Sequence, residues 1–136
     1  LGDVYKRQVY GEFYADFVRR GAKVMSVITN DGWWGKTNGH RQHFSYSRLR
    51  AIETRRSVAR SANTGISGFI DPRGRVISSI GWDERGVLTA EVPVESRLTL
   101  YTRYGDYIAR LSCYLLLLCA LYYVAYRIRR RNHLVN

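Results

Sequence analysis

Residues 23–39 read Lys23-Val24-Met25-Ser26-Val27-Ile28-Thr29-Asn30-Asp31-Gly32-Trp33-Trp34-Gly35-Lys36-Thr37-Asn38-Gly39, a short β-rich run that breaks into a loop of turn residues. Lys23 to Thr29 contains neither Gly nor Pro and is rich in Val and Ile, which predicts a buried strand. The strand delivers Asn30 and Asp31 at its C-terminal end, a usual place for chemistry. Asn-Asp-Gly is by itself an ordinary turn composition. The indoles are less ordinary, because Trp33 and Trp34 are two of only 3 tryptophans in the chain. An indole in an exposed loop is unfavourable unless it packs, lines a pocket or rests on lipid.

Upstream of the strand, Val9 to Gly21 carries Phe13, Phe17 and Val18 at helical spacing and ends in Arg19-Arg20-Gly21. Basic residues in a last turn followed by glycine mark a helix stop. Downstream, no Gly or Pro interrupts His40 to Arg56, and Phe44, Ser47, Ala51 and Ile52 form a stripe of helical period. Val58–Asn63 and Gly65–Ile70 read as strands, and Asp71-Pro72-Arg73-Gly74 has the Pro and Gly placement of a β-turn. Arg75–Ser79 is the returning strand of a hairpin, and Val87–Val92 a further strand closed by Pro93. Helix, strand, loop, helix and then several strands predict an α/β layer domain.

The formal charge is +11, but much of it lies at the ends, and the segment from 9 to 106 is only about +5. A nucleic-acid partner is therefore not expected. Leu111 to Tyr126 is free of charge, and with Tyr107–Arg110 it reaches about twenty residues, enough to cross a bilayer core. Tyrosines crowd its ends and Arg127-Ile128-Arg129-Arg130-Arg131 follows, as expected at membrane interfaces. We therefore expect a transmembrane helix at 107–126 and a basic cytoplasmic tail at 127–136. At the other end, Asp3-Val4-Tyr5-Lys6-Arg7-Gln8 reads as the translation of a mosaic-end sequencing adaptor, so residues 1–8 are expected to be an artefact, excluded from fold reasoning.

Chemistry is sparse. The only cysteines, Cys113 and Cys119, lie in the apolar run, where helical rise would separate them by roughly 9 Å, too far for a disulfide. His40 and His43 lie three apart without a third ligand, so no metal site is expected. Glu53 is flanked at three-residue spacing by Arg50 and Arg56, which points to ion pairs before catalysis. Asn63-Thr64-Gly65 either presents polar groups or simply turns the chain. No Ser-His-Asp order, phosphate loop or cysteine nucleophile can be assembled from the soluble segment.

The stretch from Val27 to Ile77 resembles the C-terminal half of the catalytic domain of the bacterial apolipoprotein N-acyltransferase family, in the nitrilase superfamily. The resemblance is carried by Asn30-Asp31-x-Trp33-Trp34-Gly35, Gln42-His43, Arg48-x-Arg50-Ala51-x-Glu53, Arg60-x-x-Asn63-x-Gly65-Ile66 and Pro72-x-Gly74, in family order. It implies that residues 9–106 are the C-terminal part of a nitrilase-like αββα sandwich followed by one transmembrane helix. The family fold implies an inner-membrane protein with the soluble domain periplasmic and the tail cytoplasmic.

The implied reaction moves an acyl chain from a phospholipid donor to the α-amino group of a diacylglyceryl-cysteine at an apolipoprotein N-terminus. A cysteine thiolate forms a thioester, with a glutamate as base and a lysine in support, and no cofactor is implied. All three catalytic residues are expected upstream of Val9-Tyr10-Gly11-Glu12, so the 136 residues read as an inactive fragment. Asn30, Asp31, Trp33, Trp34 and His43 remain as candidate substrate-binding residues, and the membrane, the phospholipid and the apolipoprotein as partners. Two other readings stay open: a fragment of a nitrilase-type amidase, or a small single-span membrane protein that binds anionic lipid or nucleic acid.

Overall fold

The structure is a computed structural model that describes residues 10–133, with side chains to Arg130. The expected artefact at 1–8 lies outside the described residues. Two compact units divide the chain, residues 1–105 and residues 106–136.

In the first unit, helix α1 (Gly11–Arg19) precedes strand β1 (Val24–Thr29), a 3₁₀ turn (Gly32–Trp34) and helix α2 (Gly39–Thr54). Strands β2 (Ser57–Ala62), β3 (Ser67–Ile70) and β4 (Val76–Ile80) follow, then the short helix α3 (Leu100–Tyr104). The four strands form one sheet in the order β1-β2-β3-β4. β1 runs parallel to β2, with Val24 opposite Ser57 and Thr29 opposite Ala62, and α2 makes the crossover. The other two pairings are antiparallel.

α1 ends because Gly21 takes φ 100°. Its N–H bonds the Val18 carbonyl while Ala22 N–H bonds that of Phe17, a Schellman closure. Its inner face is Tyr14, Ala15 and Val18, whereas the sequence suggested Phe13, Phe17 and Val18. Phe17 is exposed and meets Phe13 edge-on at 5.1 Å on the outer side. α2 buries Phe44, Ser47 and Ala51 as expected, but Ile52, also expected in the stripe, is exposed. α2 stops where Arg55 adopts the left-handed conformation, φ 52°, and Arg56 N–H returns to the Ala51 carbonyl. Arg56 therefore lies beyond the helix and makes no ion pair with Glu53. It donates instead to the carbonyls of Ala22, Thr54, Arg55 and Arg97. The Arg50–Glu53 pair does form.

The core lies between the helices and one sheet face: Tyr14 and Val18 of α1, Met25 and Val27 of β1, Phe44 and Ala51 of α2, Val58 of β2 and Ile70 of β3. Each fully buried aliphatic side chain contributes about 1.5–3 kcal/mol. β1 was expected to be buried throughout, yet its burial alternates, with Met25, Val27 and Thr29 inside and Val24, Ser26 and Ile28 outside. The period-2 pleat places these sets on opposite faces, and α1 and α2 supply core to only one of them. The Asp71–Gly74 turn closes through Gly74 N–H to the Asp71 carbonyl at 2.9 Å. The expected strand at Val87–Val92 is absent among the described residues; that segment is irregular.

The second unit is helix α4 (Tyr107–His133). Its stretch Tyr107–Arg130 is long and apolar enough to cross a membrane, and its side chains are exposed. The helix continues past the expected end at Tyr126 and carries the arginines beyond it. Cys113 and Cys119 are free thiols on its surface.

Candidate functional site

Parallel strands place their C-terminal ends side by side, and the loops leaving those ends form a natural crevice. Here the β1 end supplies Asn30 and Asp31, and the β2 end supplies Asn63, Thr64 and Gly65. The two ends are tied: Asn63 N–H donates to the Thr29 carbonyl at 3.1 Å, and the Asn63 amide reaches Asn30 Oδ1 at 3.5 Å. Asn30 Oδ1 also accepts from Gly32 N–H at 3.1 Å, which sets the entry to the 3₁₀ turn.

The structure divides the sequence-derived site residues into two layers. Asn30, Trp33 and Trp34 are exposed, with Trp33 at 79% and Trp34 at 45%. Asp31 and His43 are buried beneath them. Asp31 Oδ1 lies 2.7 Å from His43 Nδ1 and accepts from Thr29 Oγ1 at 3.1 Å; Oδ2 accepts from Arg60 Nη2 at 2.7 Å. His43 Nδ1 thus sits between both members of the ion pair, 2.7 Å from Asp31 Oδ1 and 3.1 Å from Arg60 Nη2. Arg60 is anchored further by Nη1 to Ser47 Oγ at 3.0 Å and Nε to the Ile66 carbonyl at 3.1 Å, with Phe44 beneath its guanidinium at 5.9 Å.

Burial pushes the Asp31 carboxyl upward, but the His43 hydrogen bond and the Arg60 guanidinium outweigh it and hold Asp31 below the ordinary carboxylate range. Burial lowers Arg60 from its usual value against the opposing pull of Asp31. The pair is thus ionised, with its hydrogen-bonding capacity directed into the protein. Gly65 completes the packing, since a Cβ there would collide with the Asp31 carboxylate.

The loop rests on α2. Trp34 lies over Gly39, where an added Cβ would come within 2.5 Å of Trp34 Cε3. His40, next along the helix, packs against Trp82 with ring centroids 4.5 Å apart and planes tilted by 41°. The two histidines thus part, one to Trp82 and one to Asp31. Among the described residues, no group of three His, Cys, Asp or Glu is placed to hold a metal ion. Two polar atoms near this layer, His40 Nδ1 and Thr64 Oγ1, are buried without a hydrogen-bond partner among the described residues. On the open sheet face a depression of about 430 Å³ is lined by Ser26, Ser61, Asn63, Ser67 and Phe69, so Asn63 borders both features.

Sequence reasoning did not connect Arg60, Ser47 and Thr29 to Asp31. The available signal was alternation: Arg60 has the same parity in β2 as the core residue Val58, and an inward arginine needs an acid. Trp82 as a partner of His40 carried no local signal.

The sequence that builds this layered β–α–β arrangement matches known proteins. The chain belongs to the carbon-nitrogen hydrolase family, which its residues 6–99 match. Within that family it is similar to proteins named apolipoprotein N-acyltransferase. The Chlorobaculum tepidum protein is 51% identical over 90 residues, covering 66% of this chain and 17% of the relative. The Bradyrhizobium diazoefficiens protein is 48% identical over 79 residues, 58% of this chain and 15% of the relative. The Geobacter metallireducens protein is 37% identical over 101 residues, 74% and 19% respectively. The chain spans less than a fifth of the length of these relatives.

Proposed function

We propose that residues 10–105 form one wall of the acyl-transfer site of an apolipoprotein N-acyltransferase, which N-acylates a diacylglyceryl-cysteine N-terminus from a phospholipid donor. The observation that carries this reading is the Asn30–Trp34 loop, exposed at the ends of parallel strands and fixed from below by Asp31, His43 and Arg60. A loop held in this way presents its amide and indoles without paying ordering entropy on binding. Trp33 and Trp34 then line the path of the acyl chain or headgroup, Asn30 offers its amide to the substrate, and Asp31 and His43 serve as positioning residues.

In this reading the thiolate, base and supporting lysine come from other parts of the polypeptide, and the 136 residues alone transfer no acyl group. Cys113 and Cys119 lie on α4, in the other unit, and do not take the nucleophile's place. The inner membrane is the expected location, with the first unit periplasmic and the arginines after Tyr126 cytoplasmic.

The test is a chimera in which residues 10–105 replace the matching segment of the Chlorobaculum tepidum protein. Mass spectrometry of a lipoprotein N-terminal peptide should show the added acyl chain. The chimera carrying Trp33→Ala should lose about tenfold or more in rate, the kinetic equivalent of one lost indole contact. A properly inserted chimera without acyl transfer would sink the family-specific reading. Unchanged kinetics for Trp33→Ala would remove Trp33 from the substrate path. Thioester formation on the isolated chain with a phospholipid donor would refute its inactivity.

A further inference from the structure

The Gly32–Trp34 turn is supported at both of its ends. At its first residue, Thr64 of the β2–β3 connection presses from the side: a Cβ built on Gly32 would lie 3.3 Å from Thr64 Oγ1. At its last residue, the Trp34 carbonyl accepts from Thr37 Oγ1 at 2.6 Å, and that same oxygen accepts from Gly39 N–H at 3.3 Å. The Trp34 ring covers Gly39, so the turn ends against the first residue of α2.

Both supports meet at one corner of the chain, Gly81-Trp82-Asp83-Glu84. The corner closes on itself through Gly81 N–H, which donates to Glu84 Oε2 at 3.0 Å. Asp83 adopts the left-handed conformation, φ 58°, which an aspartate tolerates better than most residues. Its N–H donates to the Thr64 carbonyl at 2.9 Å. Trp82, beside it, packs against His40, the second residue of α2. One residue of the corner therefore holds the Thr64 support, and its neighbour holds the Gly39 support. The ionic network of Asp31, His43 and Arg60 holds the same loop from below, so this corner is a separate restraint from the side.

The chemistry of the His40 contact narrows its role. The residue is 6% exposed, and its Nδ1 has no hydrogen-bond partner among the described residues. A buried polar atom left unpaired is unfavourable, so at this position the imidazole serves as a flat surface for the indole and not as a hydrogen-bonding group. Aromatic rings in such contact restrain each other's orientation.

We propose that Trp82 and His40 are positioning residues: the Trp82–Asp83 corner braces both ends of the Gly32–Trp34 turn and fixes where Trp34 stands at the crevice. Each acts through Trp34 and not by meeting the substrate. A braced indole is presented already ordered, and a displaced one is felt in the rate. The effect on rate rests on the reading that Trp34 lines the substrate path, whereas the brace is a property of the fold alone.

The brace is tested on the whole chain in neutral detergent, labelled with 5-fluorotryptophan. Its 3 indoles give fluorine NMR signals that single Trp→Phe substitutions assign. W82A should shift or broaden the Trp34 signal, and W82F, which keeps a ring against His40, should leave it near the parent position. H40A should reproduce W82A, whereas H40F, which keeps the flat surface, should match the parent. Circular dichroism checks each fold, and H40A takes the place of W82A if the latter unfolds. The rate is tested in the chimera with the Chlorobaculum tepidum protein. There W82A should lower kcat/KM about tenfold, the kinetic equivalent of one lost aromatic contact, and W82F should restore most of it. In a W34A background the same change should cost less than about twofold, because its route of action is already gone. An unmoved Trp34 signal in folded W82A and H40A would overturn the brace. Full additivity of W82A and W34A would overturn action through Trp34. A chimera that transfers no acyl group in any form would count against the acyl-transfer reading, and the fluorine spectra would then decide the brace by themselves.

Discussion

Replacing Asp31 by Asn keeps the shape of the side chain and removes its charge, and the surrounding geometry sets the cost. The carboxylate is fully buried and receives Arg60 at 2.7 Å and His43 at 2.7 Å. In Asp31→Asn the Arg60 guanidinium remains fully buried, with Ser47 Oγ and the Ile66 carbonyl as neutral acceptors. Stranding a buried charge costs about 3–5 kcal/mol, a large fraction of the stability of a domain of this size. With a urea slope of about 1–3 kcal/mol/M, the midpoint should fall by roughly 2 M. The assay is urea unfolding of the detergent-solubilised chain, followed by tryptophan fluorescence, which reads Trp33, Trp34 and Trp82 around the loop. The double variant Asp31→Leu with Arg60→Met removes both charges and should recover much of the loss. A midpoint for Asp31→Asn within about 0.5 M of the parent, or a double variant worse than the sum of its parts, would refute the account of a mutually dependent buried pair.

The same geometry yields further tests. Because Asp31 is held below its unfolded value of about 3.9, its contribution is present above that pH and is lost as the pH falls through the lower folded value. The stability gap between parent and Asp31→Asn should therefore narrow below about pH 4, and a gap that persists undiminished at lower pH would contradict the sign. Gly65→Ala drives a methyl group into the Asp31 carboxylate and should destabilise by about 1–3 kcal/mol; an unchanged urea midpoint would show that the β2–β3 connection yields freely. Trp33→Ala, 79% exposed in the parent, should leave the unfolding free energy within about 0.5 kcal/mol while slowing the chimera, which separates a substrate role from a packing role.

Much of the layer order was legible in the sequence because it rests on local rules. The 3.6 period of Phe44, Ser47 and Ala51, the glycine stop after Arg20 and the Pro-Arg-Gly turn need no partner to act. What failed depended on partners or on one backbone torsion. Val87–Val92 has the composition of a strand, but a strand exists only where a neighbour completes its ladder, and the sheet ends at β4. Glu53 and Arg56 have helical spacing, yet the left-handed Arg55 ends the helix between them. At the site the exposed loop could be found from its turn residues and indoles. The network beneath it could not, because Asp31 and Arg60 stand 29 positions apart and only the register of β1 on β2 brings them together.

That register has a kinetic consequence. α2 can form from contacts within its own turns, whereas pairing Val24 with Ser57 must first close a loop spanning the whole helix. Closing about thirty residues costs roughly 3 kcal/mol of chain entropy before any ladder bond compensates it. Contacts that depend on such closure form late, so Asp31, Arg60 and His43 meet on the native side of the folding barrier. The network then acts as a latch: its loss should speed opening more than it slows closing. The lifetime of the loop's presented shape would be set by how long the latch stays shut.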